Sequence, residues 1–199
     1  AELEVPGVRG PATGAIETVE IENDRAALVV VGAGENTRHA IVHLTGMCTE
    51  AKSDLEAWSS SARNYGTVVA LEGDAPCPDG RSGRSWSGDI AQLEARIDAA
   101  LEAVRTVRGV DLDHGEVLVI GESMGATRAA ALAARAPARF SRIVLIGSAE
   151  KLAAERLSGA KAVAVLAGEQ EPQEIPQQNF DALQNAGTKT KFWTLTGAQ

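Results

Sequence analysis

Gly121-Glu122-Ser123-Met124-Gly125 sets a serine between glycines two positions before it and two positions after it. This spacing suits a serine carried on a sharp turn. Small flanking residues let the strand before it and the helix after it approach, while the hydroxyl projects above the sheet. The neighbouring sequence supplies both supports. Val117 to Ile120 is an apolar run of the kind buried on both faces of a parallel sheet, and the Ala-rich stretch from Ala126 to Ala136 favours a closely packed helix. A plain glycine turn shares the five-residue pattern, but the flanking strand and helix make Ser123 the candidate nucleophile.

A serine nucleophile needs a base beside it and an acid to orient that base. Acids are available in Ala167-Gly168-Glu169-Gln170-Glu171-Pro172. Thr45-Gly46-Met47-Cys48 follows another apolar strand, and a glycine there lets backbone amides turn toward the space above a sheet, where an oxyanion would sit. A simple strand-to-helix turn explains the same residues. In the long loop from Glu72 to Gly88, Arg81 and Arg84 are candidates to contact an anionic substrate group and Trp86 to wall a pocket; a solvated basic patch over a packed tryptophan is the competing reading.

The elements that must position these residues alternate along the chain. An edge strand over Ile16 to Glu22 pairs antiparallel with Ala26 to Val31, and strands follow at His39 to Leu44, Gly66 to Leu71, Val117 to Ile120, Arg142 to Ile146, Ala162 to Leu166 and Thr190 to Leu195. Between them the periodicity gives helices over Glu50 to Asn64 (with Thr49 as cap), Asp89 to Arg108, Ala126 to Ala136, Lys151 to Leu157 and Pro176 to Ala186. This alternation predicts a three-layer α/β/α sandwich: a mostly parallel sheet, an antiparallel edge hairpin at its amino-terminal side, and ligand sites at the carboxyl ends of the strands. Gly32-Ala33-Gly34 lacks the third glycine and the following helix of a dinucleotide loop, so it reads as a hairpin turn. Asp111, Asp113 and His114 fall at the opposite end of the central strand and read as surface turn residues.

The 199 residues suit one domain. With 44% hydrophobic and 23% charged residues the chain is globular, and a net charge of −8 argues against a nucleic-acid partner. No apolar run reaches the length of a membrane span, and the first residues lack the pattern of a signal peptide. Cys48 and Cys77 match no paired-ligand metal motif; a disulfide and two free thiols both remain open, and a bridge would favour a secreted or periplasmic setting.

Gly-Glu-Ser-Met-Gly, Leu44-Thr45-Gly46-Met47 and Leu166-Ala167-Gly168-Glu169-Gln170-Glu171 together resemble the α/β-hydrolase family, in particular its small dienelactone hydrolase and carboxylesterase members. The resemblance spans nearly the whole chain from Ile16. It implies Ser123 as nucleophile, Glu171 as acid with Glu169 as the alternate, and the Met47 and Met124 amides as oxyanion hole. It further implies a small-molecule ester substrate and a reaction that uses no metal or organic cofactor. The chain departs from the family at Thr45, where a histidine is common, and more seriously at the base. His39, His43 and His114 all precede Ser123, whereas the family's histidine follows the last strand. His43, in a buried strand, reads as a packing residue. Thr196-Gly197-Ala198-Gln199 matches the approach to that histidine, so residues 1–199 are expected to lack the base and the last helix. The expected activity is carboxylic ester hydrolysis in a longer form, and the alternative is a catalytically incomplete binding protein of the same fold.

Overall fold

The computed structural model describes residues 14–78 and 80–197. The first thirteen residues, Asp79, Ala198 and Gln199 lie outside the described residues, and with them the readings of the chain's beginning and of its Gly-Ala end. Among the described residues the regular structure is ten strands, four α-helices and two 3-10 helices, at Gly34–Arg38 and at Ala154–Leu157, the latter in place of the helix expected over Lys151 to Leu157. The strands are β1 (Glu17–Val19), β2 (Ala27–Val30), β3 (Ala40–Leu44), β4 (Thr67–Leu71), β5 (Ala75–Pro76), β6 (Arg84–Ser85), β7 (Val117–Glu122), β8 (Arg142–Ile146), β9 (Ala162–Gly168) and β10 (Thr190–Leu195). The helices are α1 (Ala51–Ala62), α2 (Ile90–Arg108), α3 (Met124–Arg135) and α4 (Glu174–Asn185).

Eight strands form one sheet in the order β1-β2-β4-β3-β7-β8-β9-β10. From β4 to β10 every pairing is parallel, and β1 and β2 add the antiparallel edge hairpin. β5 and β6 make a separate two-stranded ribbon inside the long loop. The fold class is therefore the one that the alternation of elements predicts.

Period-two alternation sorts each central strand between two apolar clusters. Val42, Leu44, Val69, Leu71, Val117, Val119, Ile143, Leu145, Val163 and Val165 join the buried residues of α2 and α3 and Leu183 of α4. Ile41, Val68 and Ala70 point the other way, against Ala51, Leu55 and Trp58 of α1. Three helices thus cover one face, while α1 covers part of the other. α2 meets the sequence expectation closely. The Asp89 carboxylate accepts the Gln92 N–H at 2.7 Å, Leu93, Ile97, Leu101 and Val104 are buried, and Gly109 ends the helix in the left-handed conformation at φ 66°.

Two local expectations fail. Gly32 to Thr37 is not a hairpin turn, because β4 is inserted between β2 and β3. The chain crosses the end of β4 through a 3-10 turn at Gly34–Arg38, with Gly32 N–H bonded to Thr67 Oγ1 at 2.9 Å. A side chain at Gly32 would meet the Gly66 backbone at 2.8 Å, so glycine is needed for this crossing. Thr49 does not cap α1: the N-cap is Glu50, and the Thr49 hydroxyl donates to Gly46 O at 3.1 Å.

Candidate active site

Ser123 stands at the carboxyl end of β7, one residue before α3, with φ 49° and ψ −113°. A non-glycine residue in such a region costs about 1–3 kcal/mol and persists only where its surroundings impose it. The surroundings here are close. A Cβ on Gly121 would lie 2.3 Å from Gly125 O, and one on Gly125 would lie 2.1 Å from Leu44 O. The flanking glycines therefore let β7, α3 and β3 converge at the serine. Ser123 N–H is bonded to Ile146 O at 2.8 Å, which holds the turn against β8.

The residues after β3 close on the same point. A Cβ on Gly46 would be 3.4 Å from Ser123 Cβ, so the Thr45-Gly46-Met47 backbone lies directly against the serine. Met124 is the first residue of α3, where an N–H has no carbonyl partner within its own helix. The two stretches expected to carry oxyanion donors are thus adjacent across Ser123.

The loop from Glu72 to Gly88 acts as a brace rather than a wall. Cys77 is disulfide-bonded to Cys48, with the Cα atoms 5.5 Å apart. Closing a loop of this length is worth about 3–4 kcal/mol in the chain-entropy description. Cys48 N–H donates to Arg84 O at 2.7 Å, and the Trp86 indole N–H donates to Thr45 O at 2.8 Å. Two substrate-contact expectations are corrected accordingly. Trp86 is 5% exposed and packs in the core, and the Arg84 guanidinium is spent on the carbonyls of Gly73 and Asp74. Arg81 is exposed.

On the other side of Ser123, Glu171 follows β9. Its Oε2 accepts Gly168 N–H at 2.8 Å, and a Cβ on Gly147, at the end of β8, would lie 3.2 Å from its Oε1. The carboxylate therefore faces the end of β8, beside β7. Glu169 turns outward and accepts Gly197 N–H at 3.3 Å. A cavity of about 260 Å³ opens beside Glu171, lined by Gly147, Ser148, Ala149, Pro172, Ile175 and Pro176. A larger cavity of about 410 Å³, lined by His39, Tyr65, Glu116 and Arg142 among others, lies at the amino ends of the parallel strands, away from Ser123.

None of the three histidines serves Ser123 among the described residues. His39 Nδ1 contacts Tyr65 O at 3.3 Å and His114 Nδ1 approaches Asp98 at 3.4 Å, both at the amino ends of the strands. His43 is fully buried, edge-on to Trp58, with Nε2 2.9 Å from Asp54 Oδ2. It is more than a packing residue, because Glu122 completes a cluster with it and Asp54. Burial, followed by the charge and hydrogen bond of Asp54 and the charge of Glu171, pushes the Glu122 carboxyl up to about 7. The serine pattern does not single out Asp54 or Glu122. The available signal is positional: Asp54 stands in the inward stripe of α1 with Ala51, Leu55 and Trp58, and Glu122 continues the alternation of Leu118 and Ile120.

No family model and no curated protein matches the sequence. Solved structures do match by fold. Esterase PE8 superposes with a TM-score of 0.62 at 17% identity, over 85% of this chain and 88% of that one. A CIB-like hydrolase from Thermoplasma acidophilum gives 0.62 at 12% identity, over 92% and 87%. A highly thermostable carboxyl esterase from Bacillus coagulans gives 0.63 at 12%, over 93% and 90%. The chain has the α/β-hydrolase fold, with a mixed, mostly parallel eight-stranded sheet and helices on both faces.

Proposed function

We propose that this chain is the body of a serine hydrolase of carboxylic esters. The observation that carries the reading is Ser123 held at φ 49° with Gly46 packed against its Cβ, a strained arrangement that a plain turn has no reason to maintain. In this reading Ser123 Oγ attacks the acyl carbon and gives its proton to a general base. The Met47 and Met124 amides receive the oxyanion. The base returns the proton to the departing alcohol, and water then attacks the acyl-serine, releasing acid and restoring the serine. Glu171 orients and charge-balances the base; Glu169 is the alternate. In this reading the base comes from sequence after β10, a strand that ends beside Glu169, where Glu169 N–H is bonded to Leu195 O at 2.9 Å.

The cavity of about 260 Å³ beside Glu171 supports a small acyl or alcohol group. Exposed Arg81 is the remaining candidate for an anionic substrate group. The Cys48–Cys77 bridge supports an oxidising compartment. Among the described residues no helix is long and apolar enough to cross a membrane.

The test uses two forms, residues 1–199 and a form extended by histidine-bearing sequence after Gln199. The extended form should hydrolyse p-nitrophenyl esters and take a fluorophosphonate on Ser123, while residues 1–199 turn over esters at most slowly. An extended form inert to both reagents would instead fit the catalytically incomplete binding protein.

A further inference from the structure

Beneath the nucleophile, on the α1 face of the sheet, three ionisable side chains meet. His43 of β3 is fully buried, the Asp54 side chain is 14% exposed, and Glu122 ends β7 one residue before Ser123. One ring nitrogen or carboxyl oxygen from each lies within 4.8 Å of the other two. Asp54 lies between both neighbours: His43 Nε2 stands 2.9 Å from Asp54 Oδ2, and a Glu122 carboxyl oxygen lies within 4.8 Å of an Asp54 carboxyl oxygen.

Hydrogen-bond chemistry assigns the protons. Two carboxylates this close repel when both are ionised and can only accept hydrogen bonds, so one proton held between the pair relieves the repulsion and joins them. His43 Nδ1 is buried without a partner. A single ring proton is therefore best placed on Nε2, where it donates to Asp54; a second on Nδ1 would be an unpaired buried donor. The ring proton then faces Asp54, which makes Glu122 the carboxyl that holds the shared proton.

We infer that Glu122 is a positioning residue of the nucleophile turn: the proton it shares with Asp54, backed by His43, ties α1 to the end of β7, and losing that proton loosens Ser123. The inference rests on the reading of Ser123 as nucleophile. The linkage is short, because Glu122 is peptide-bonded to Ser123 and pairs in register with Ile146, whose carbonyl holds the Ser123 N–H. The groups facing Glu122 are His43 from β3, Asp54 from α1 and Glu171 from the loop after β9; β8 contributes the apolar Ile146. Deprotonation replaces a hydrogen bond with three mutually repelling carboxylates, Asp54, Glu122 and Glu171. The upward displacement of the Glu122 carboxyl agrees with this arrangement.

The experiment is amide hydrogen exchange of the 123–126 segment in residues 1–199, as protection factors corrected for intrinsic rates, from about pH 5.5 to about pH 8.5. The wild type should lose protection there by about tenfold as the pH rises, the factor equivalent to one pK unit of coupling. Glu122→Gln, whose amide donates to Asp54 at every pH, should hold protection constant. Infrared difference spectra of the wild type should show a protonated-carboxyl band that disappears over the same range and is absent from Glu122→Gln. Unchanged protection in the wild type, a variant that tracks the wild type, or no such band would each overturn the inference. So would Zn²⁺ that binds with these three ligands and supplants the band at the pH of maximal protection. Failure of the hydrolase reading is separate: the extended form then leaves Ser123 unlabelled, while the exchange data still report on the clamp.

Discussion

The two faces of the sheet are built differently. On the face covered by α2, α3 and α4, Val117, Val119, Ile143, Leu145, Val163 and Val165 are all buried. On the opposite face, α1 packs over β2 and β4, while Leu118, Ile120, Val144, Ile146, Ala164 and Leu166 are only half-buried and Trp193 is 47% exposed. The first face behaves as an interior whose packing can hold a strained serine. The second face contains the ionisable cluster at the margin of α1, where burial raises the Glu122 carboxyl without excluding it from titration. A site thus draws rigidity from one side of the sheet and proton sensitivity from the other.

The largest contrast should come from neighbouring residues of β8. Leu145→Ala removes a fully buried side chain and should cost about 3–4 kcal/mol in urea unfolding, whereas Ile146→Ala on the open face should cost about 1 kcal/mol. Equal losses would erase the distinction between the faces.

The next effect is electrostatic. The folded-state Glu122 carboxyl, raised to about 7, lies above its unfolded value of about 4.3. Its contribution is fully present below about pH 4.3, is lost as pH rises through about 7, and is flat above that. After discounting for partial exposure, the loss should be on the order of 2 kcal/mol. Thermal unfolding from about pH 5 to about pH 8 should show this slope in the wild type and its removal in Glu122→Gln. Parallel slopes would sever the cluster from the stability of the open face.

Ser123→Gly should raise stability by about 1 kcal/mol, because glycine relieves the backbone strain imposed by the closed face. Calorimetry showing a destabilised glycine variant would mean that the serine side chain contributes more than its backbone costs. The smallest effect belongs to Trp193→Ser, which should shift stability by about 0.5 kcal/mol or less at this exposed position.

Legibility from sequence followed the range of the interaction. The α2 boundaries were readable because Asp89, the apolar stripe and Gly109 lie within one segment and act through local backbone chemistry. The same holds for β7, the glycines and α3 around Ser123. Trp86 and Arg84 left two readings open because an aromatic and a cation in a long loop look alike whether they face a substrate or hold carbonyls from elsewhere. Their partners, Thr45 for Trp86 and Gly73 and Asp74 for Arg84, are set by how the loop folds back. Cys48 and Cys77 were equally compatible with two thiols until the ends of their strands were known to be adjacent.

By itself the sequence determined the alternation of strands and helices, and the strained strand-turn-helix at Ser123, because hydrophobic period, caps and glycine conformations act over a few residues. Only the tertiary structure decided that β4 separates β2 from β3 and that a disulfide-bonded loop braces the backbone beside Ser123. It also decided that Asp54, His43 and Glu122 meet beneath the serine. These depend on the burial of surfaces distant in the chain, where the free energy of packing and hydrogen bonding is shared among elements and no local segment encodes its partner.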